Sequence, residues 1–265
     1  MRGRTMTGPG MRFARFLSTF LGAVLCLVSC CCFLSPANAQ AKRQGSSVAS
    51  ATYPSAAAYP SARVYALRLN IPAFEITLWK DFTAVKTYPV ALGTPARQTP
   101  TGLFFIASKI KYPTWIPPDG SPPVPPGPDN PLGSRWMGLD KPRYGLHSTN
   151  APSSIGKAIS LGCIRMFPWD AEELFDTITI GTPFEIVYEL VDVAATADGV
   201  TVRIFRDIYW RGRPLLAQVC TALENSGMPA GDIDRLLPDL AAEISAPSGK
   251  VLAFAITRDD SSRER

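Results

Sequence analysis

The chain has one histidine in 265 residues, and only two of its six cysteines, Cys163 and Cys220, lie beyond residue 39. That scarcity argues against a metal, because a structural zinc takes about four Cys or His ligands. No glycine loop of Walker or dinucleotide type is present, so no nucleotide is expected. There is no Gly-x-Ser-x-Gly elbow for a serine hydrolase. No acid occurs in the first 39 residues, where Arg2, Arg4, Arg12 and Arg15 all lie. Those four arginines carry four of the five net positive charges, leaving +1 for the rest. A nearly neutral remainder has no basic footprint for nucleic acid. No metal or other cofactor is expected.

What is present begins with a leader. The four arginines precede an apolar run from Phe16 to Leu34, and Ala37-Asn38-Ala39 supplies a small-x-small cleavage pattern before Gln40. Residues 1–39 therefore read as a secretory signal peptide, which implies export to the periplasm or cell envelope. A membrane anchor is the plainer alternative, which Ser18, Ser29 and the cleavage pattern oppose. Leu27-Val28-Ser29-Cys30 also resembles a lipoprotein box that would lipidate Cys30, but the apolar residues Cys31 to Leu34 after it fit that poorly.

Residues 40–62, rich in Ala, Ser, Tyr and Pro, read as a flexible linker. From there the pattern predicts a mainly β domain with short helices over 63–190, and an extension of strand and helices over 191–265. Phe74, Ile76 and Leu78 alternate with polar residues, the mark of a half-buried strand. Val85 to Leu92, Leu103 to Ala107, Phe184 to Tyr188 and Val200 to Ile204 are further strands. The Pro- and Gly-dense run 113–131 excludes helix and central strand. Asp170 and Glu173 form a capping pair that predicts a helix through about Thr177. Pro214 opens a second helix, with Leu216, Val219, Cys220 and Leu223 on one face.

Two residues carry the chemistry. His147 is the only imidazole available as a general base near neutral pH. Separated from it by fifteen residues, Cys163 sits in Ser160-Leu161-Gly162-Cys163-Ile164-Arg165-Met166. A thiol becomes a nucleophile when a base or a positive neighbour favours its thiolate, and protonated His147 can hold that thiolate. Gly162 removes bulk beside the sulfur, and backbone N–H groups at Gly162 and Cys163 can face an oxyanion. Arg165 can hold a carboxylate through a bidentate contact, or form an ordinary ion pair. Cys220, at helical spacing among apolar residues, reads as a small buried hydrophobe. A Cys163–Cys220 disulfide stays open on sequence alone, and it would silence the nucleophile.

Tyr144-Gly145-Leu146-His147-Ser148-Thr149-Asn150, followed by Ser160 to Met166, resembles the catalytic signature of the L,D-transpeptidases (YkuD domain). Tyr88 to Gly93, Thr99 to Gly102, Pro131 to Met137, Asp170 to Leu174 and Gly181 to Pro183 extend the resemblance from about Val64 to Glu189. It departs at Leu161, where that family often has His, and at Ser148, where it often has Gly. The resemblance implies a fold of two mixed β-sheets with a short helix. It implies that Cys163 attacks the peptidoglycan stem peptide at its third residue, releases the terminal D-alanine and forms a thioester. An amine then resolves the thioester into a cross-link. A second stem peptide is the expected acceptor, with a free D-amino acid or an envelope protein as the alternatives. His147 would shuttle the proton, and the Ser148 carbonyl would orient it. Ser160 and Gly162 would support the nucleophile, while Arg165, Tyr144, Trp136 and Asn150 would line the substrate cleft. Carbapenems would acylate the same cysteine. Two other readings share the sequence: an L,D-carboxypeptidase or link-cleaving enzyme using water, and a non-catalytic wall-binding protein.

Overall fold

The computed structural model describes residues 65–196, 199–212 and 214–255. The expected signal peptide, Cys30 and the 40–62 linker lie outside the described residues. Among the described residues, no helix is long and apolar enough to cross a membrane.

Nine strands form the main body: β1 Tyr65–Asn70, β2 Glu75–Lys80, β3 Thr83–Gly93, β4 Gly102–Lys111, β5 Arg135–Leu139, β6 Gly145–His147, β7 Ala158–Ser160, β8 Ile164–Met166 and β9 Pro183–Val187. Their order is β2-β1-β9-β4-β5-β6-β8-β3-β7, and β2 also pairs with β3. The two long strands each serve two sheets. β3 pairs with β2 over Thr83–Pro89 and with β8 at Val90 and Ala91. β4 pairs with β9 over Gly102–Phe105 and with β5 from Ile106 onward. Parallel pairs (β1–β9, β6–β8, β3–β7) and antiparallel pairs coexist, so the sheets are mixed.

Period-two alternation aims one face of these strands inward. Leu67 and Leu69, Ile76 and Leu78, Met137, Leu146, and Ile164 and Met166 fill the core. Each fully buried aliphatic side chain contributes roughly 2 kcal/mol of hydrophobic stabilisation. The predicted strands are all present, with two end residues outside them: Tyr188 falls just beyond β9, and just before β2 stands Phe74. It caps a 3-10 turn, Ile71–Ala73, in the left-handed conformation, so β2 starts one residue later.

The first helix, α1 (Pro168–Thr177), departs from expectation at its start. Asp170 is not its cap: the helix opens at Pro168, with Phe167 at the N-cap and no side-chain cap bond. Proline's fixed φ and missing N–H suit the first helical position. Asp170 sits inside the first turn, buried, where the helix dipole favours a negative group. Glu173 instead accepts from Lys86 Nζ at 2.6 Å and from Tyr88 Oη at 3.2 Å.

Beyond Glu189 the chain builds a second core. Strands β10 (Val191–Ala195), β11 (Gly199–Ile204) and β12 (Val251–Ala255) form an antiparallel sheet. Helices α2 (Leu215–Asn225) and α3 (Ala230–Ser245) supply its apolar cover. Val200, Val202 and Ile204 pack with Val219, Leu223 and Leu240, while Val191 and Leu215 touch both cores. Leu216 does not share the buried face of α2 as its spacing predicted: it is exposed, and Leu215 packs inward instead. Cys220 is half-buried at the edge of this core rather than fully enclosed. Cys163 is a free thiol, so the Cys163–Cys220 disulfide is not formed.

Candidate functional site

The site lies on the sheet face opposite the core, across β5, β6 and β8. Trp136 is register-paired with His147 on β6, and His147 with Arg165 on β8. Paired residues point to the same side of a sheet, so these three share one face. The intervening Met137, Leu146, Ile164 and Met166 point into the core. Burying one face of such short strands fixes their register, because a one-residue slip would send every site residue into the core. Cys163 immediately precedes β8, two residues from Arg165. A two-residue offset between neighbouring strands separates Cα atoms by roughly 8 Å.

His147 is 4% exposed and stacks on Trp136, ring centroids 5.9 Å apart. Its Nδ1 lies 2.5 Å from the Ser148 carbonyl oxygen. A carbonyl can only accept, so Nδ1 carries the proton and donates it, and Nε2 keeps its lone pair. Burial pushes the His147 pKa down to about 4; the Ser148 bond opposes this, and the Arg165 charge adds to it. The imidazole is therefore neutral near pH 7. Of the two roles open to His147 on sequence, base and cationic partner of a thiolate, this favours the base, because a buried ring beside a guanidinium resists a second positive charge.

The sulfur is also held in its neutral form. Burial pushes the Cys163 thiol up, against the Gly145 N–H and the Arg165 charge, which pull it down. Its Sγ donates to the Arg143 carbonyl at 3.3 Å. Among the described residues, no hydrogen bond joins Cys163 to His147. Both groups are thus in their neutral forms, thiol and imidazole, near pH 7.

The turn before Cys163 is closely tied. Gly162 N–H donates to Ser160 Oγ at 3.1 Å, and Ser160 Oγ donates to the Cys163 carbonyl at 2.5 Å. The Gly162 N–H is thus committed to Ser160 Oγ, where it was expected to face an oxyanion. Gly162 has φ +112°, and a Cβ there would lie 2.8 Å from Tyr144 Cε1. Glycine is required on both counts. Tyr144 is thereby placed against the nucleophile's turn, half-buried.

Arg165 is half-buried, and among the described residues it makes no ion pair; its Nε is buried without a hydrogen-bond partner. The plainer reading of Arg165, an ordinary ion pair, is not realised. A half-buried guanidinium beside the sulfur with no ion pair among the described residues is suited to a ligand carboxylate or a developing anion. Ser148 does more than orient His147. Its Oγ accepts from the N–H of Ser134 at 2.6 Å and of Arg135 at 3.2 Å, and donates to the Leu132 carbonyl at 3.0 Å. It fastens the end of the long 113–131 loop to the site. Within that loop Asn130, fully buried, donates to the carbonyls of Pro113, Val124 and Pro125. Asn150 is exposed, and among the described residues no hydrogen bond joins its side chain to the others.

Thr99 was not anticipated as an individual site residue. It is 1% exposed, and its Oγ1 donates to the Gly162 carbonyl at 3.1 Å while accepting from the Gly93 N–H at 3.0 Å. The Thr-Pro-Thr-Gly stretch that contains it was the available signal, but it carried only a turn assignment.

Residues 65–186 match the family model described as the L,D-transpeptidase catalytic domain, YkuD. The protein YkuD of Bacillus subtilis (strain 168), which carries the L,D-transpeptidase name, is 39% identical over 118 residues, 44% of this chain and 63% of that relative. The chain thus spans less than two thirds of that relative's length. The open-reading-frame-5 product of the ATP synthase subunits region of Fuscovulum blasticum, given the same name, is 30% identical over 154 residues, 46% of this chain and 81% of the relative. The solved L,D-transpeptidase from Mycobacterium smegmatis overlaps with a TM-score of 0.40 at 22% identity, covering 46% of this chain and 58% of that one.

Proposed function

The chain belongs to the L,D-transpeptidase (YkuD) family, and we propose that it is a peptidoglycan L,D-transpeptidase working through a Cys163 thioester. The observation that carries the reading is the placement of Cys163 immediately before β8, His147 on the neighbouring β6 with Nδ1 tied to the Ser148 carbonyl and Nε2 left over, and Arg165 paired in register with His147 without an ion-pair partner among the described residues.

In the donor half-reaction the Cys163 thiol proton passes to His147 Nε2 as sulfur attacks the stem-peptide carbonyl that precedes the terminal D-alanine. The C–S bond forms, and the Cys163 N–H faces the oxyanion. The C–N bond to D-alanine breaks, and its amine leaves with the proton from His147. In the acceptor half-reaction an amine of a second stem gives a proton to His147 and attacks the thioester. A new C–N bond forms, the C–S bond breaks, and the thiol regains its proton. No oxidation state changes. Arg165 serves the donor by pairing with a stem carboxylate, and Trp136 and Tyr144 flank the cleft. Export by the 1–39 leader belongs to the same reading, since the substrate lies outside the cytoplasmic membrane.

The test mixes the full mature chain, or its Cys163→Ala variant, with a tetrapeptide stem and follows products by mass. D-Alanine release with a stem dimer, absent from Cys163→Ala, supports the reading. Release of D-alanine without dimer redirects it to a carboxypeptidase. No release, and no adduct with a carbapenem while Cys163 is reduced, overturns it.

A further inference from the structure

The segment after β11 reaches back beneath the nucleophile. Tyr209 lies past residue 186, where the family match ends. Its side chain is 4% exposed. Tyr209 Oη donates to the Gly93 carbonyl at 3.0 Å and accepts from the Thr99 N–H at 3.1 Å. Thr99 Oγ1 in turn donates to the Gly162 carbonyl at 3.1 Å. Gly162 therefore has its carbonyl held from below by Thr99 and its N–H held by Ser160. Gly93 packs so closely on this turn that a Cβ there would lie 2.9 Å from Gly162 Cα.

Tyr209 is itself fixed from two sides. Its N–H donates to Tyr188 Oη at 2.8 Å, and Tyr188 Oη donates to Asp207 Oδ1 at 2.5 Å. The Tyr188 and Tyr209 rings stack with centroids 5.5 Å apart. Arg211 lies 4.1 Å over the Tyr188 ring, and its Nη2 donates to Gln98 Oε1 at 3.3 Å. Asp207 Oδ2 accepts from the Gly212 N–H at 2.8 Å, closing the segment on itself. A buried hydroxyl that satisfies one backbone donor and one backbone acceptor of the same loop leaves that loop a single arrangement.

We propose that Tyr209 is a positioning residue for the Cys163 reaction, acting through Thr99 and Gly93 on the Gly162–Cys163 turn, so that the C-terminal extension is a working part of the catalytic centre. The role in acyl transfer rests on the transpeptidase reading; the effect on Cys163 does not. The step itself is conformational: no bond forms or breaks at Tyr209.

The full chain is compared with Tyr209→Phe, Thr99→Val and Thr99→Ser. Two readouts are taken on each: the pH profile of Cys163 alkylation by iodoacetamide, and kcat and KM on a tetrapeptide stem. Tyr209→Phe keeps the ring and removes only the hydroxyl. The expected result is a kcat about tenfold lower with KM within about twofold. The alkylation midpoint moves to lower pH, because a loosened turn exposes the sulfur to water. Thr99→Val reproduces both changes, and Thr99→Ser recovers most of the rate lost in Thr99→Val. A merely structural role would lower the titratable fraction of active protein but leave the profile of that fraction unmoved. Wild-type alkylation profiles in both Tyr209→Phe and Thr99→Val overturn the proposal. A wild type that releases no D-alanine, with the alkylation midpoints still shifted, would sink the transpeptidase reading and leave the positioning role standing.

Discussion

His147 and Ser148 are joined by a bond that their own sequence adjacency makes available: the ring turns back onto the carbonyl of the next residue, Nδ1 to oxygen at 2.5 Å. This contact sets the tautomer without needing a carboxylate partner. No acid appears among the causes that move the His147 pKa; burial, the Ser148 carbonyl and Arg165 account for it. The base of this site is therefore weak in the resting state, and its strength develops with the anion on the substrate.

The pH dependence follows with a definite sign. Folded His147 titrates at about 4, against 6.5 for an ordinary imidazole. Between those values the unfolded chain binds a proton that the folded chain refuses. The stabilisation is fully present above about pH 6.5 and is lost as pH falls through about 4, amounting to roughly 3 kcal/mol. Two outcomes are expected: an acid limb of kcat near pH 4 to 5, and a steep fall of denaturant midpoint between pH 6.5 and 4. His147→Gln should flatten the stability profile in that window. An acid limb at 6.5 would show that the ring is solvated in the working enzyme.

Gly162→Ala tests the turn from its other side. The backbone is at φ +112°, which L side chains rarely adopt, and the new methyl would meet the Tyr144 ring. The expected cost is about 2 kcal/mol of stability, with acyl transfer reduced at least about a hundredfold as the sulfur moves. Pairing it with Tyr144→Ala should relieve the steric part and leave the φ part. If Gly162→Ala matched the wild type in both measurements, the packing of Tyr144 on this turn would be irrelevant to catalysis.

Much of this was legible in the chain, and the reasons are local. The alternation of Phe184, Ile186 and Tyr188 needs only a pleated strand with one dry face, and all three are buried. Cys163 and His147 stood out because rare residue types occurred at short spacing, and the structure gathers them with Arg165 on adjacent strands β6 and β8 and the turn that leads into β8. What stayed hidden depends on distant packing. Tyr209 and Thr99 meet across 110 residues, through a side-chain hydroxyl and a backbone N–H that any residue but proline supplies. The neutral state of His147 arises from burial under Trp136 and its sheet, which no spacing encodes. The start of α1 was mistaken because Pro168 offers a stronger local signal than the Asp170–Glu173 pair.

Arg165 should act on both reacting partners at once. Its charge lowers the pKa of Cys163 and of His147 alike. Arg165→Gln is expected to raise the midpoint of Cys163 alkylation and the His147 pKa seen by NMR, both upward. Loss of the cation also removes the anchor for a donor carboxylate, so KM for the stem should rise about tenfold. Arg165→Lys should restore the charge effect on the thiol but little of the KM, because an ammonium lacks the bidentate fork. Unchanged midpoints in Arg165→Gln would mean that the guanidinium is too well solvated to be felt at the sulfur.

Ser148→Ala separates the two jobs of one residue. The backbone carbonyl that orients His147 remains, so the tautomer is kept. The hydroxyl is lost, and with it the acceptor for the Ser134 and Arg135 N–H groups and the donor to the Leu132 carbonyl. Leaving such groups unsatisfied costs about 1 to 3 kcal/mol. The loop end at 132–135 then loosens, and Trp136, the next residue on β5, loses its fixed place over the imidazole. The expected result is a lower denaturant midpoint, faster amide exchange at Ser134 and Arg135, and a KM for the stem that rises more than kcat falls. A kcat loss with unaltered exchange at those amides would place the hydroxyl in the chemistry itself rather than in the loop.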